Sequence, residues 1–196
     1  VGTYFLFTSF ESKFNSGPLN KSLSVFRNTK HFNISVFGPR LAEYDVMWFA
    51  RLVEPFYESV NKRFGNYSDK QWLTIYIAEG FPQYYNATGE GIIIPVSRVE
   101  KRDARYILIK VAHVLSGTYT WPWEKNHVAA EGIDAYLADS YLENTFTLNQ
   151  QYEKHVQLFR LDNAKYFAWR YPETEQAYAY DKAGAFMDYL VKNYGI

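Results

Sequence analysis

Apolar and polar positions follow two different patterns in the two halves of the chain. In the first half, short runs of β-branched and aromatic residues are separated by turn residues, which is typical of strands. The predicted strands are Thr3–Thr8, Ser22–Phe26, His31–Phe37, Trp72–Ala78 and Ile92–Val96. From Leu41 to Phe64, apolar residues recur every three or four positions, which predicts one long amphipathic helix. Pro55 is expected to kink or divide that helix.

The second half is predicted to be mostly helical. The apolar run from Tyr106 to Leu115 is long for a strand, so we interpret it as a buried helix. Further helices are predicted over Val128–Leu142, from near Leu148, and over Lys182–Tyr194. Strands followed by helices indicate an α+β fold. No repeat or low-complexity linker divides the chain, so residues 1–196 are predicted to form one domain, with a sheet-rich part (1–98, a mixed sheet and the helix 41–64) and a helical part (99–196).

Composition and charge narrow the possible functions. The 196 residues are 47% hydrophobic, and 21 basic residues balance 21 acidic ones. A net charge of zero argues against nucleic acid as a partner, because phosphate contacts require a basic excess. No apolar run approaches the roughly 18 residues that a transmembrane helix needs. The absence of cysteine excludes disulfides, thiolate metal sites and cysteine nucleophiles.

Two features bear on the location of the protein. The chain begins with Val1 rather than Met, and we expect an upstream segment to have been removed: a signal peptide, an anchor or only a chosen boundary. Four glycosylation sequons favour a secreted or cell-surface protein; they lie at Asn20, Asn33, Asn66 and Asn86. A chain without cysteine is equally compatible with the cytoplasm.

Candidate chemistry is concentrated in the predicted central helices. Lys110 and His113 are the two polar side chains in the run Ile107–Leu115, and their spacing of three places them on one helix face. A buried ammonium group needs an acceptor, because removing it from water costs several kcal/mol. The next predicted helix supplies Glu131, set among small and apolar residues. We therefore expect a buried Lys110–Glu131 ion pair that holds the two helices in register.

The stretch from Ile109 to Tyr136 resembles the active-site helices of gluzincin zinc metallopeptidases, including peptidase MA-like domains and zinc aminopeptidases. Their first helix carries His-Glu-x-x-His, and their second carries Glu-Gly-x-Ala-x-Tyr. In this resemblance the second histidine falls on His113 and the ligand glutamate on Glu131. The first histidine falls on Ile109 and the general-base glutamate on Lys110. The resemblance thus implies a degenerate motif with a vestigial zinc site.

Other segments extend the resemblance over most of the chain. Tyr180-Asp181-Lys182 resembles the aminopeptidase segment whose tyrosine stabilises the oxyanion, which implies a vestigial role of that kind for Tyr180. The early strand, long helix and following strand resemble the opening of peptidase MA-like domains, so a thermolysin-like architecture is expected. The strand nearest the substrate cleft is then implied to contain Ile92, Ile93, Ile94 and Val96.

The residues at the two mismatched motif positions, Ile109 and Lys110, predict a domain that has lost catalysis. Ile109 cannot ligate a metal, and Lys110 has no lone pair at neutral pH with which to accept a proton from water. We therefore expect no resident cofactor and a pseudoenzyme that binds a peptide or protein in the former cleft, by strand addition, or serves as a structural surface module.

The same residues allow other interpretations. An active metal-dependent peptidase would bind zinc through His113, Glu131 and a substitute ligand, for which His127 is one choice because it lies four residues before Glu131. His113 alone is also typical of a hydrogen-bonded core histidine. The third hypothesis is a surface module that binds glycans through its aromatic side chains, because 19% of the residues are aromatic.

Overall fold

The computed structural model describes residues 23–37, 41–64, 73–78, 87–88, 91–116, 127–143 and 173–195. Within these residues the strands are β1 (Leu23–Asn28), β2 (Phe32–Phe37), β3 (Leu73–Ala78), β4 (Ala87–Thr88) and β5 (Gly91–Pro95). The helices are α1 (Glu43–Phe64), α2 (Val96–Glu100), α3 (Ala104–Leu115), α4 (His127–Tyr141) and α5 (Glu173–Tyr194). This part of the chain is a mixed α+β structure, as predicted.

The long helix α1 continues through Pro55 without dividing. A proline inside a helix removes one backbone hydrogen bond and costs about 3 kcal/mol or more. A continuous apolar face offsets that cost, because it is buried in the core along the whole helix: Val46, Phe49, Val53, Phe56 and Val60. Pro55 itself is exposed. Of the two effects expected of Pro55, a kink or a division, the division is therefore wrong.

Two other boundaries differ from the sequence expectation. Val96 was predicted to end a strand, but it is the first residue of α2. Helix α5 begins at Glu173, ahead of the predicted start at Lys182. The predicted strand Thr3–Thr8 and the helix expected near Leu148 lie outside the described residues.

The five described strands form one mixed sheet in the order β1-β2-β3-β5-β4. The central pairs β2–β3 and β3–β5 are parallel, and the outer pairs are antiparallel. Ile34, Ile75 and Ile92 lie side by side across the parallel strands and are fully buried. Strands that are apolar along their whole length are typical of a sheet covered on both faces. β5 fits that description, because Ile92, Ile93 and Ile94 are all buried.

Close packing of α4 against α5 sets the geometry of the helical part. A Cβ atom at Gly132 would lie 2.6 Å from the carbonyl oxygen of Ala183, closer than real Cβ contacts allow. On the facing helix, a Cβ atom at Gly184 would lie 3.2 Å from the Cβ of Ala135. Glycine at both positions thus lets the two backbones approach closely, which brings the side chains beside these glycines into contact.

No helix within the described residues combines the length and apolar character that crossing a bilayer requires.

Candidate functional site

The candidate site lies where α3, α4 and α5 meet. Asp103 caps the start of α3 by accepting a hydrogen bond from the backbone N–H of Tyr106, at 3.2 Å. Most of α3 is buried, but one stripe is only half-buried, formed by Tyr106, Lys110 and His113. Spacings of four and three residues align these side chains along the helix. The stripe faces polar groups that α4 and α5 supply.

The strongest polar contact of the site joins His113 to Asp134. The Nδ1 of His113 lies 2.7 Å from Oδ2 of Asp134. The hydroxyl of Ser116, one turn further along α3, donates to the other carboxylate oxygen at 2.8 Å. Asp134 has no solvent exposure at all. A fully buried carboxylate is stable only when its oxygens are hydrogen-bonded, and both oxygens of Asp134 are. These three residues are called the His113 network below.

The electrostatics of this network favour a charged imidazole. Burial by itself would lower the pKa of His113, but the hydrogen bond and negative charge of Asp134, with the charge of Glu131, raise that pKa above its ordinary value. The positive charge of Lys110 works in the opposite direction. Burial raises the pKa of the Asp134 carboxyl, although its bonds to His113 and Ser116 oppose that rise.

The second polar contact joins α4 to α5. The phenol of Tyr180 donates a hydrogen bond to the carboxylate of Glu131. Burial, followed by the negative charge of Glu131, raises the pKa of the Tyr180 phenol well above its ordinary value. Tyr180 therefore keeps its proton at neutral pH and acts as a hydrogen-bond donor.

The expected Lys110–Glu131 pair is not among the ion pairs of the described residues. The ammonium of Lys110 instead lies 5.7 Å from the ring centroid of Tyr106, one turn earlier on α3. Lys110 is half-buried rather than buried, so its amine is not forced to find a carboxylate. Glu131 is bonded by Tyr180 instead. The sequence pattern located the face of the helix correctly but not the partner.

Replacing Lys110 with alanine is expected to lower the free energy of unfolding by about 1 kcal/mol or less. A half-buried lysine with one cation–π contact loses little when it is truncated. Urea unfolding of Lys110→Ala beside the wild type measures this difference. A loss of about 3 kcal/mol or more would show that the ammonium is a buried, paired group after all.

Several residues that the resemblance implied do converge in the structure. His113, Glu131 and Tyr180 come from three different helices, and both His113 and Tyr180 interact with Glu131. Ile109, at the position of the first ligand histidine, is buried in the core. His127 is the first residue of α4, and its side chain lies outside the described residues.

The strand implied to border the cleft is β5, which is paired on both sides at its start. It pairs with β3 from Gly91 to Pro95, and β4 pairs with it at Gly91 and Ile92. Among the described strands, none pairs with the β4 side of β5 beyond Ile92. A peptide adding to this strand would therefore meet only its last residues, Ile93–Pro95.

Three side chains of the site have the atoms to hold a metal ion. One ligand atom each from His113, Glu131 and Asp134 lies within 4.8 Å of the others. An imidazole and two carboxylates form a ligand set that zinc accepts. The histidine–aspartate contact also occurs around zinc, where an aspartate orients a ligand histidine through its second nitrogen.

Sequence reasoning missed Asp134, although a signal was present. It lies three residues after Glu131, between Ile133 and Ala135, so a carboxylate buried there needs a hydrogen-bond donor. Like the ammonium of Lys110, the carboxylate of Asp134 is an ionisable group among apolar neighbours in the sequence.

Sequence reasoning also missed a second ionic cluster beside the site. Arg105 of α3 donates from Nε and Nη2 to the two carboxylate oxygens of Asp139, at 2.7 and 3.0 Å. Its Nη2 also lies 2.6 Å from Asp181 of α5. One guanidinium group therefore ties together α3, α4 and α5. These three residues are called the Arg105 cluster below.

The His113 network predicts a pH dependence of stability. A histidine whose pKa is raised in the folded state stabilises the fold below its ordinary pKa of 6.5, and this contribution is lost as the pH rises through the folded-state value. Urea unfolding from about pH 6 to about pH 9, with a chelator present, should give a falling free energy of unfolding. The variant His113→Gln should show a shallower fall. Equal slopes for both proteins would contradict the prediction.

Comparison of the sequence with protein-family models and with curated proteins finds no match to either.

Proposed function

We propose that this chain is a non-catalytic domain of gluzincin type, in which the residues of a former zinc site now hold helices together and the domain binds peptides or proteins. The observation that carries the proposal is the His113 network, in which both oxygens of the buried Asp134 carboxylate are hydrogen-bonded within the protein. His113 and Ser116 both donate to the buried Asp134. The site is thus stabilised by its own side chains.

The residues at the two other motif positions support the loss of catalysis. Zinc peptidases need a carboxylate beside the metal to accept a proton from the attacking water. Lys110, at that position, has no acceptor atom while it is protonated. Ile109, at the first ligand position, is buried and has no donor atom. These residues do not fit the catalytic zinc that the resemblance implies.

Charge also opposes a catalytic cation at this site. A metal ligand must be a neutral imidazole, whereas the surroundings of His113 raise its pKa and favour the imidazolium form. The positive charge of Lys110 acts on the same imidazole. Two positive charges beside the position of the ion would weaken zinc binding.

A binding role is supported by the end of β5. Ile93 and Ile94 are paired with β3 on one side, and none of the described strands pairs with their other side. An extended peptide can add to such an edge through backbone hydrogen bonds, which need no metal. Peptide binding at this edge is therefore independent of the zinc residues.

The test measures cleavage and binding with the same peptides. A fluorogenic peptide library is incubated with the protein and added zinc, and we expect no cleavage above that of the Glu131→Gln variant. Binding of labelled extended peptides, followed by fluorescence polarisation, should be unaffected by a chelator and should slow amide exchange at Ile93 and Ile94. Zinc-dependent cleavage that Glu131→Gln abolishes would overturn the proposal. Absence of peptide binding would leave a structural module as the function.

A second candidate function is favoured by the spacing of His113, Glu131 and Asp134. Their ligand atoms are close enough that modest side-chain rotation would let them share one ion. The chain would then be a metal-dependent hydrolase whose metal ion is held by non-standard ligands. The Tyr180 phenol would polarise the carbonyl group of the substrate. Cleavage in the same library assay, lost in both Glu131→Gln and Tyr180→Phe, is the result that this function requires.

A further inference from the structure

A second group of metal-ligating side chains lies on the sheet-rich part of the molecule, away from the residues used above. His31 stands in the turn between β1 and β2, and Glu54 and Glu58 lie one helical turn apart on α1. One ligand atom of each lies within 4.8 Å of the others. Because residues four apart share a helix face, both glutamates point at the same turn.

The ring of His31 is held in a fixed orientation. Its Nδ1 contacts the Oε1 of Glu54. The ring also stacks on Tyr57, with centroids 4.1 Å apart and planes inclined by 20°. The backbone of the turn is fixed as well, because the carbonyl of His31 accepts a hydrogen bond from the N–H of Leu73, at 2.9 Å. A side chain locked in this way loses little freedom on binding a ligand.

One atom of this group lacks a partner. The Oε2 of Glu54 is buried and has no hydrogen-bond partner among the described residues. A buried carboxylate oxygen without a donor costs free energy, and native structures resolve such groups with a donor, a water or an ion. The unpartnered oxygen belongs to the carboxylate whose other oxygen contacts His31, so a cation bound to it would lie beside the imidazole.

We propose that His31, Glu54 and Glu58 bind a divalent transition-metal ion of the zinc class. One imidazole and two carboxylates are the donor set that zinc accepts, whereas calcium and magnesium prefer oxygen ligands throughout. Tetrahedral bonds of about 2.0–2.1 Å place ligand atoms about 3.3 Å apart, so small side-chain rotations close the group around the ion. This inference does not depend on the proposed function.

Lys30 competes with the ion for Glu58. Its ammonium donates to Glu58 at 2.9 Å, and both side chains are exposed. That contact raises the pKa of Lys30 and lowers the pKa of Glu58. Metal binding would displace the ammonium into solvent. Removing the competing charge should therefore tighten metal binding by about two- to fivefold, the range of an exposed ion pair.

The experiment titrates ZnCl₂ into the protein by calorimetry at neutral pH and repeats the titration with CoCl₂, whose visible absorption reports the ligand geometry. We expect one ion to bind, and Glu54→Gln to weaken its affinity at least tenfold, because altering even a group that only supports a metal ligand costs about 10–100-fold in affinity. Glu58→Gln, at an exposed position, should also weaken binding without disturbing the fold. Lys30→Met should strengthen it.

Two controls assign the ion to this site. Glu43→Gln removes an exposed glutamate at the start of the same helix, 79% exposed, and should bind zinc as the wild type does. Glu131→Gln removes a carboxylate of the candidate site described earlier and should also leave this binding intact. Unchanged zinc affinity in both Glu54→Gln and Glu58→Gln, or no zinc binding by the wild type, would overturn the inference.

Discussion

Replacing Asp134 with alanine should destabilise the protein by about 3–5 kcal/mol, the range for removing one partner of a buried charged pair. The substitution leaves His113 and Ser116 without the acceptor that each now uses. It also removes the contact that joins α3 to the middle of α4. Urea unfolding monitored by circular dichroism, in the presence of a chelator, measures the change in free energy of unfolding.

Two further variants separate the hydrogen bonds from the charge of this network. Asp134→Asn keeps the shape and one acceptor oxygen, so it should lose less stability than Asp134→Ala. The double variant His113→Leu with Asp134→Leu removes both charged partners and should be more stable than Asp134→Ala, because only the Ser116 hydroxyl then loses an acceptor, and it already lies 3.4 Å from the backbone carbonyl oxygen of residue 113. A loss below about 1 kcal/mol for Asp134→Ala would show that this carboxylate is not a buried acceptor.

Much of the fold could be predicted from periodicity in the sequence. The apolar repeat of α1 and the apolar run of α3 predicted helices that the structure contains, because both patterns cover more than two turns. The shorter runs predicted β2 and β3 nearly to the residue. Val96 was misassigned because an apolar residue at the end of a buried strand has the same pattern as one that begins a buried helix.

The candidate site was predicted less completely, since partners depend on tertiary packing. Helical spacing predicted that Lys110 and His113 share one face of α3. The acceptor of His113, however, depends on how α4 is rotated against α3. The position of α4 also depends on its packing against α5, where Gly132 lies close to Ala183, and no local pattern encodes such contacts. The sequence thus indicated some of the residues at the helix junction, among them His113, Glu131 and Tyr180, but neither Asp134 nor the pairs that form there.

The partners of the Arg105 cluster also depend on tertiary packing. Removing Arg105 is the second substitution for which we expect a large loss of stability. Arg105 is 30% exposed, whereas Asp139, its main acceptor, is only 5% exposed. Replacing Arg105 with alanine leaves the Asp139 and Asp181 carboxylates close together without their shared cation. Because the guanidinium is partly hydrated, we expect a loss of about 2–4 kcal/mol, slightly below that of a fully buried pair.

The pH dependence of Arg105→Ala distinguishes lost charge pairing from lost packing. Burial already raises the pKa of Asp181, and Asp139 raises it further, while Arg105 opposes both. Without Arg105 that pKa rises again, and a carboxyl with a raised folded-state pKa loses stability as the pH rises through that value. The gap between variant and wild type should therefore be widest near about pH 7 and should narrow on acidification.

A matched exposed pair supplies the control for this last experiment. Lys192 donates to Asp188 at 2.7 Å on α5, but its side chain is 67% exposed. Lys192→Ala should cost about 0.5 kcal/mol or less and should show little change with pH, because solvent already screens that pair. A pH-independent loss in Arg105→Ala would mean that the side chain acts through packing alone. The junction of α3, α4 and α5 would then depend on apolar contacts rather than on the shared guanidinium.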